Sequence, residues 1–232
     1  MNKFENSFIS TQLNNLYKGN EYYNDLYKFI FEYSDISNPY EEFDITMPYG
    51  FTQEEIGSGP LNLQFLEFLI LLYKPSKILE IGTFAGISTL KIAKAISKYD
   101  TNALITTVEK YDKFAKIAKM NFQKNKLDKF INLINDDASN FIRNNSDKYD
   151  LIFIDGHKEA YKEYFEILQH RINRKGLIII DDILFNGDVL NNKTISEKGK
   201  GVFLLLQSIK QNKNFHKMIF PIGNGVLCLI KV

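Results

Sequence analysis

Residues 77–98, KILEIGTFAGISTLKIAKAISK, constrain this chain more than any other stretch. A short apolar run of Ile78, Leu79 and Ile81 encloses Glu80 and stops at Gly82. After Gly86 come Leu90, Ile92, Ala93 and Ile96, at helical spacing. Strand, glycine turn and helix in that order open an α/β domain that holds a nucleotide or nucleoside at the strand's carboxyl end. The spacing E-x-G-x-x-x-G is not the dinucleotide spacing G-x-G-x-x-G. Between Gly82 and Ser88 there is no Lys or Arg, and no G-K-[ST] is present, so a pyrophosphate or triphosphate would lack its side-chain cation. A nucleoside that itself carries positive charge suits Glu80 and the acids nearby.

The flanking sequence continues the alternation. Gly57-Ser58-Gly59-Pro60 leads into an apolar helix, 61–73, that stops before Pro75. Strands are predicted at 103–108, 130–134, 149–155 and 177–182, with helices at 114–125, 139–145 and 159–172 between them. Arg174-Lys175-Gly176 reads as a turn. The run LIIIDD at 177–182 is so apolar that it belongs in the sheet centre, covered on both faces. A helix over 201–210 and strands at 216–220 and 226–231 finish the chain. The reading is an α/β, Rossmann-like, mostly parallel sheet with helices on both faces, occupying residues 57–232.

Residues 1–56 differ. Tyr and Phe are mixed there with Asn, Glu and Asp, and Tyr23, Leu26, Tyr27 and Ile30 have helical spacing. Pro39 and Pro48-Tyr49-Gly50 imply loops. This predicts a helical N-terminal extension that serves as lid, packing element or subunit interface.

Composition excludes more than it assigns. Lys plus Arg (29) nearly cancel Asp plus Glu (28), so no global basic field advertises a nucleic-acid partner. A single cysteine, Cys228, rules out an intrachain disulfide and fits a reducing compartment. No apolar run approaches the roughly 20 residues that span a bilayer, and the N-terminus lacks a signal-peptide core. A soluble, cytoplasmic protein is expected.

Glu80, Glu109, Asp137, Asp155, Asp181 and Asp182 all fall at or just past the end of a predicted strand. In an open parallel sheet these ends line one crevice, where ligands bind. Any single acid could instead be the N-cap of the next helix. Glu109, ending the second strand, lies where an acid accepts hydrogen bonds from ribose hydroxyls, and it would repel a 2′-phosphate. Gly82 lets the backbone approach a ligand closely.

With these residues the chain resembles class I S-adenosylmethionine-dependent methyltransferases, and among them the metal-dependent O-methyltransferases of the caffeoyl-CoA and catechol type. ILEIGTFAGIST, VEKYDKF, NDDA, YDLIFIDGHKEAY, GLIIIDDILFNG and PIGNGVLCL carry the likeness in family order. The resemblance implies that Glu80, Gly82 and Ser88 meet the methionine part of the cofactor. It puts Glu109 on the ribose and Asp137-Ala138 beside the adenine. It places a divalent cation, Mg²⁺ with Mn²⁺ or Ca²⁺ as substitutes, on Asp155, Asp181 and Asp182. Three carboxylates from two strand ends suit a hard cation. The family generally has Asn at the position of Asp182, so a third carboxylate here should raise cation affinity and leave the occupied site less electropositive.

By the same likeness Lys158 is the catalytic base, acting beside Asp155, and a poorly solvated lysine can have a lowered pKa. Tyr161 and Asn186 are expected to border the acceptor, and His157 to serve as cap or packing. The family implies a small-molecule hydroxyl acceptor and a homodimer. One bacterial branch methylates 5-hydroxyuridine in transfer RNA, which is the alternative enzymatic reading. A non-catalytic cofactor-binding scaffold is the alternative from another class, and the retained Asp155, Lys158 and Asp181 argue against it.

Overall fold

The computed structural model describes residues 19–51, 59–100, 102–191 and 194–232. It divides into two compact units, residues 1–36 and 37–232. In the first, the described part is helix α1 (Gly19–Glu32) and a short tail, with the rings of Phe29 and Tyr33 centred 4.5 Å apart. The larger unit begins at Ser37, well before the expected boundary near residue 57. The reason lies in residues 37–51, which are fastened to the sheet domain by polar contacts.

One of those contacts is a buried charge cluster. Pro39, expected in a loop, starts the one-turn helix α2 (Pro39–Glu42), with the Asn38 side chain capping the Tyr40 N–H. The next helix is α3 (Pro60–Tyr73), which starts with Pro60 at its first position. It ends where Lys74 turns left-handed and its N–H bonds Ile70 O, just ahead of Pro75. Lys91, only 4% exposed in its side chain, lies 2.8 Å from both Glu42 and Glu67. Lys94 and Lys98 complete the cluster from its exposed edge. Removing Lys91 would leave Glu42 and Glu67, both nearly buried, with only their edge lysines.

The sheet has seven strands: β1 (Lys77–Ile81), β2 (Leu104–Glu109), β3 (Ile131–Asn135), β4 (Tyr149–Ile154), β5 (Ile172–Ile180), β6 (Phe215–Phe220) and β7 (Val226–Lys231). Their order is β3-β2-β1-β4-β5-β7-β6. The first five run parallel, and β7 pairs antiparallel with both β5 and β6. After β3 the chain returns to the other side of β1 to lay down β4. The carboxyl ends of β1 and β4 therefore flank the switch point where ligands bind in such sheets.

Side chains alternate in the period of two that a doubly covered sheet requires. Leu79, Ile81, Ile152, Ile154, Ile178 and Ile180 face one core with Tyr161, Phe165, Val202 and Leu205. Ile78, Ile105, Leu151, Phe153, Leu177 and Ile179 face the other with Leu66, Ile70, Ile92 and Ile96. Each such fully buried aliphatic side chain contributes roughly 1.5–3 kcal/mol. The central placement of LIIIDD holds. Among the described residues no helix is long and apolar enough to cross a membrane.

The remaining helices are α4 (Ile87–Ser97), α5 (Asp112–Lys124), α6 (Ala138–Asn144), α7 (Tyr161–Leu168) and α8 (Glu197–Lys210), with a 3₁₀ turn at Lys158–Ala160. Three stretches depart from the sequence reading. The helix predicted to reach Ile172 ends at Leu168, because Ile172 pairs with Tyr149 as the start of β5. The turn read at Arg174-Lys175-Gly176 is an irregularity within that strand. Pairing jumps from Tyr149–Ile172 to Leu151–Leu177, and Lys175 takes φ 63°. Helix α8 also starts earlier than Gly201, since the Ser196 hydroxyl caps the Gly199 N–H.

Candidate active site

A cavity of about 840 Å³ opens over the carboxyl ends of β1, β2, β4 and β5. Gly82, Phe84, Ser88, Glu109, Asp137 and Ala138 line one end; Asp155, Lys158, Asp181, Asp182 and Asn186 line the other.

The glycine turn builds the first end. Gly82 has φ 98°, and a β-carbon there would stand 2.3 Å from the carbonyl oxygen of Asp155. Its immediate necessity is thus the close approach of β4, as well as access for a ligand. Phe84 is held left-handed at φ 50°, which costs energy for a bulky residue. Glu109 offsets that cost: one carboxylate oxygen accepts the Phe84 N–H at 2.9 Å and the other accepts the Tyr111 N–H at 2.8 Å. Glu109 is 6% exposed, lines this end of the cavity, and has acceptor capacity beyond these two bonds. Phe84, Phe114 and Tyr111 form an aromatic wall, with centroids 4.8 and 5.7 Å apart. Asp137 caps α6 by accepting from Ser139 N–H and pairs with Lys110 at 2.9 Å. Its pKa is held down, chiefly by that lysine.

Glu80 does not reach the wall. It is fully buried behind the turn, where Thr89 and Thr107 donate to one of its oxygens at 2.5 and 2.6 Å. Burial pushes its pKa up to about 7 against those bonds. Through the bonded oxygen it braces β1, β2 and α4, while its other oxygen, Oε1, is buried without a hydrogen-bond partner.

At the other end the acids gather around a lysine. Lys158 Nζ lies 2.8 Å from Asp182 Oδ2 and 3.3 Å from Asp155 Oδ1. Burial works to lower the lysine's pKa, but the two carboxylates outweigh it and the net shift is upward. Facing these two carboxylates, the lysine is held as a cation. Asp181, 3% exposed, has its pKa raised by burial, then by Asp155 and Asp182. Asn62 Nδ2 donates to both its oxygens, at 3.1 and 3.2 Å. Asp182 adopts φ 59°, tolerable for a short polar side chain, and donates its N–H to Asp181 Oδ1.

Among the described residues no three such side chains meet as a ready metal-ligand group, since the Lys158 ammonium lies between two of the acids. The donor chemistry nonetheless fits a hard divalent cation. These are carboxylate oxygens from adjacent strand ends, close enough that Asp155 and Asp182 add to the raised pKa of Asp181.

Tyr161 does not border the acceptor space. It is fully buried, and its hydroxyl donates to the Asp181 carbonyl at 3.3 Å, so it supports the acid from behind. Asn186 does line the cavity, at φ 52°, with its N–H on Asn224 Oδ1. His157 is exposed and lies 3.2 Å from Glu159. Sequence reasoning missed Asn62, which no motif marks, and Gly201, whose only signal is a pair of glycines inside a helix.

A family profile described as O-methyltransferase matches residues 44–232. The chain belongs to the O-methyltransferase family. The O-methyltransferase chain is 31% identical over 151 residues to a catechol O-methyltransferase of Niastella koreensis, covering 63% of this chain and 66% of that one. It is 29% identical over 182 residues to a caffeoyl-CoA O-methyltransferase of Stellaria longipes, covering 74% of each. Its fold is that of the SAH-bound methyltransferase PaMTH1 of Podospora anserina, at TM-score 0.80 and 20% identity, over 92% of this chain and 97% of that one. The O-methyltransferase has no lysine or arginine in its glycine turn, which agrees with a sulfonium nucleoside as methyl donor.

Proposed function

We propose that this O-methyltransferase methylates a hydroxyl of a small catechol-like or vicinal-diol acceptor, with a divalent cation, Mg²⁺ foremost, held by Asp155, Asp181 and Asp182. The observation that carries this reading is the crowding of those acids around Lys158 at one end of a cavity whose other end suits a cationic nucleoside. Relatives named for catechol and caffeoyl-CoA support the acceptor class.

S-adenosylmethionine supplies a methyl group on a positively charged sulfur. A hard divalent cation supplies charge that stabilises an acceptor oxyanion and a template that orients adjacent oxygens. The protein's own residues do the rest. Glu109 accepts hydrogen bonds from the ribose, and the aromatic wall of Phe84, Phe114 and Tyr111 flanks the base. Asn62 and Tyr161 fix Asp181, and Asn186 faces the acceptor. Lys158 is only 13% exposed in its side chain. Were a cation to engage Asp155 and Asp182, the burial that lowers the lysine's pKa would be less opposed, and Nζ would be placed to take the hydroxyl proton. The O–C bond forms as the S–C bond breaks, and the proton ends on Lys158.

The test is a labelled-methyl assay on a catechol panel beside unmodified and 5-hydroxyuridine-containing transfer RNA. Label on catechols supports the reading. Label on RNA alone replaces it.

A further inference from the structure

We propose that Asn121 is a positioning residue of the methyl-donor site. On this view it clamps the strap 44–51 to the glycine turn, so that Phe51 buttresses the aromatic wall. The inference rests on the S-adenosylmethionine reading of that end of the cavity.

Asn121 is fully buried on α5. Its Oδ1 accepts the Thr46 N–H at 2.8 Å, while Nδ2 donates to Thr46 O at 3.0 Å and Ala85 O at 2.9 Å. One turn later Asn125 does the same for Asp44, accepting its N–H and donating to its carbonyl, each at 3.0 Å. Two carboxamides four residues apart thus pair with alternate residues of an extended segment, as a neighbouring strand would. Lys124 adds a bond to Thr46 Oγ1 at 2.9 Å. Only Asn121 also reaches the turn, where it satisfies the carbonyl just before the Gly86 cap of α4.

Beyond the clamp the strap bends, with Phe51 N–H on Pro48 O and Gly50 at φ 84°. Phe51 then packs edge-on against Phe84 at 5.3 Å and Phe114 at 5.8 Å. Both of those rings line the cavity, and Phe84 holds the strained backbone. The left-handed turn is therefore gripped from several sides: Glu109 on its N–H, Asn121 on the next carbonyl, and Phe51 on its ring. A residue that only fastened the strap would not need the bond to Ala85.

The test compares Asn121→Ala with Asn125→Ala in the full chain, using S-adenosylhomocysteine affinity by calorimetry, acceptor KM and melting temperature. Losing buried donors at the turn should weaken affinity about tenfold in Asn121→Ala. Asn125→Ala should stay within about threefold, and acceptor KM should be unchanged in both. Equal losses, or a fall in melting temperature with affinity intact, overturn the proposal. Should Asn121→Ala not fold, Phe51→Leu decides: several-fold weaker affinity supports the buttress, and wild-type affinity refutes it. Absence of binding by the wild-type protein would refute the methyl-donor reading and is thereby distinguishable.

Discussion

The carbonyl oxygen of Lys158 lies 2.5 Å from where a β-carbon on Gly201 would stand. Helix α8 therefore meets the lysine's turn backbone against backbone, and glycine in mid-helix is retained despite its usual cost of about 0.5–1 kcal/mol relative to alanine. Nearby, Asp188 accepts from the N–H groups of Ile195 and Ser196, which anchors the start of the same helix. Gly201→Ala should push the lysine turn away from Asp155 and Asp182. The expected result is a kcat lowered about tenfold or more, with S-adenosylhomocysteine affinity unchanged. Stability should fall, although alanine favours helix. A stabilised variant with wild-type kcat would remove the coupling.

Lys158→Met keeps most of the side-chain volume and removes the proton acceptor. Loss of a general base costs about 10²–10⁴ in rate. Steady-state kinetics should show that loss in kcat, and calorimetry should show cofactor affinity within about twofold of wild type. A parallel loss of both would make the lysine a binding or structural group.

The acids around Lys158 predict a requirement for a divalent cation. EDTA should abolish methylation, and Mg²⁺ or Mn²⁺ should restore it. Independently of turnover, Mg²⁺ should raise the melting temperature of the wild-type protein by mass action and leave Asp155→Asn nearly unmoved. Full activity in chelator, or no thermal shift, would sink the metal assignment.

These predictions draw on features of unequal legibility. Acids at strand ends can be read from sequence, because apolar strands and the parallel sheet place their carboxyl ends along one crevice. That logic located Glu109, Asp137, Asp155, Asp181 and Asp182 on the cavity. It could not separate Glu80 from them, since whether a strand-end acid faces the ligand or the helix behind depends on the strand's twist and on Thr89 and Thr107. Tyr161 failed for a similar reason: its position on the helix after Lys158 fits either wall or core, and the Asp181 carbonyl decides for the core. Asn62 and Asn121 find their partners 119 and 75 positions away, so no local pattern reveals them. The β5 irregularity reads as a turn because Lys175 takes a left-handed φ of 63°, although the strand runs on through it.

The charge cluster that joins residues 37–42 to the sheet domain predicts a pH dependence of stability. Burial tends to raise the pKa of Glu42, but hydrogen bonds from Lys91, Lys94 and Ser37 outweigh it and hold the carboxyl down from 4.5 to about 2. A folded-state pKa below the unfolded value means stability that is fully present above pH 4.5 and is lost as pH falls toward 2. Glu42→Gln removes the charge and leaves Lys91 with Glu67 as its one ion-pair partner, beside the Ser37 hydroxyl. Urea unfolding at neutral pH should therefore show the variant less stable by about 3 kcal/mol. The gap should stay constant down to about pH 5 and then shrink steadily with further acidification, because wild-type Glu42 becomes as neutral as the glutamine. A gap that persists unchanged at pH 3 would mean that packing, and not the ion pair, fastens this segment to the domain.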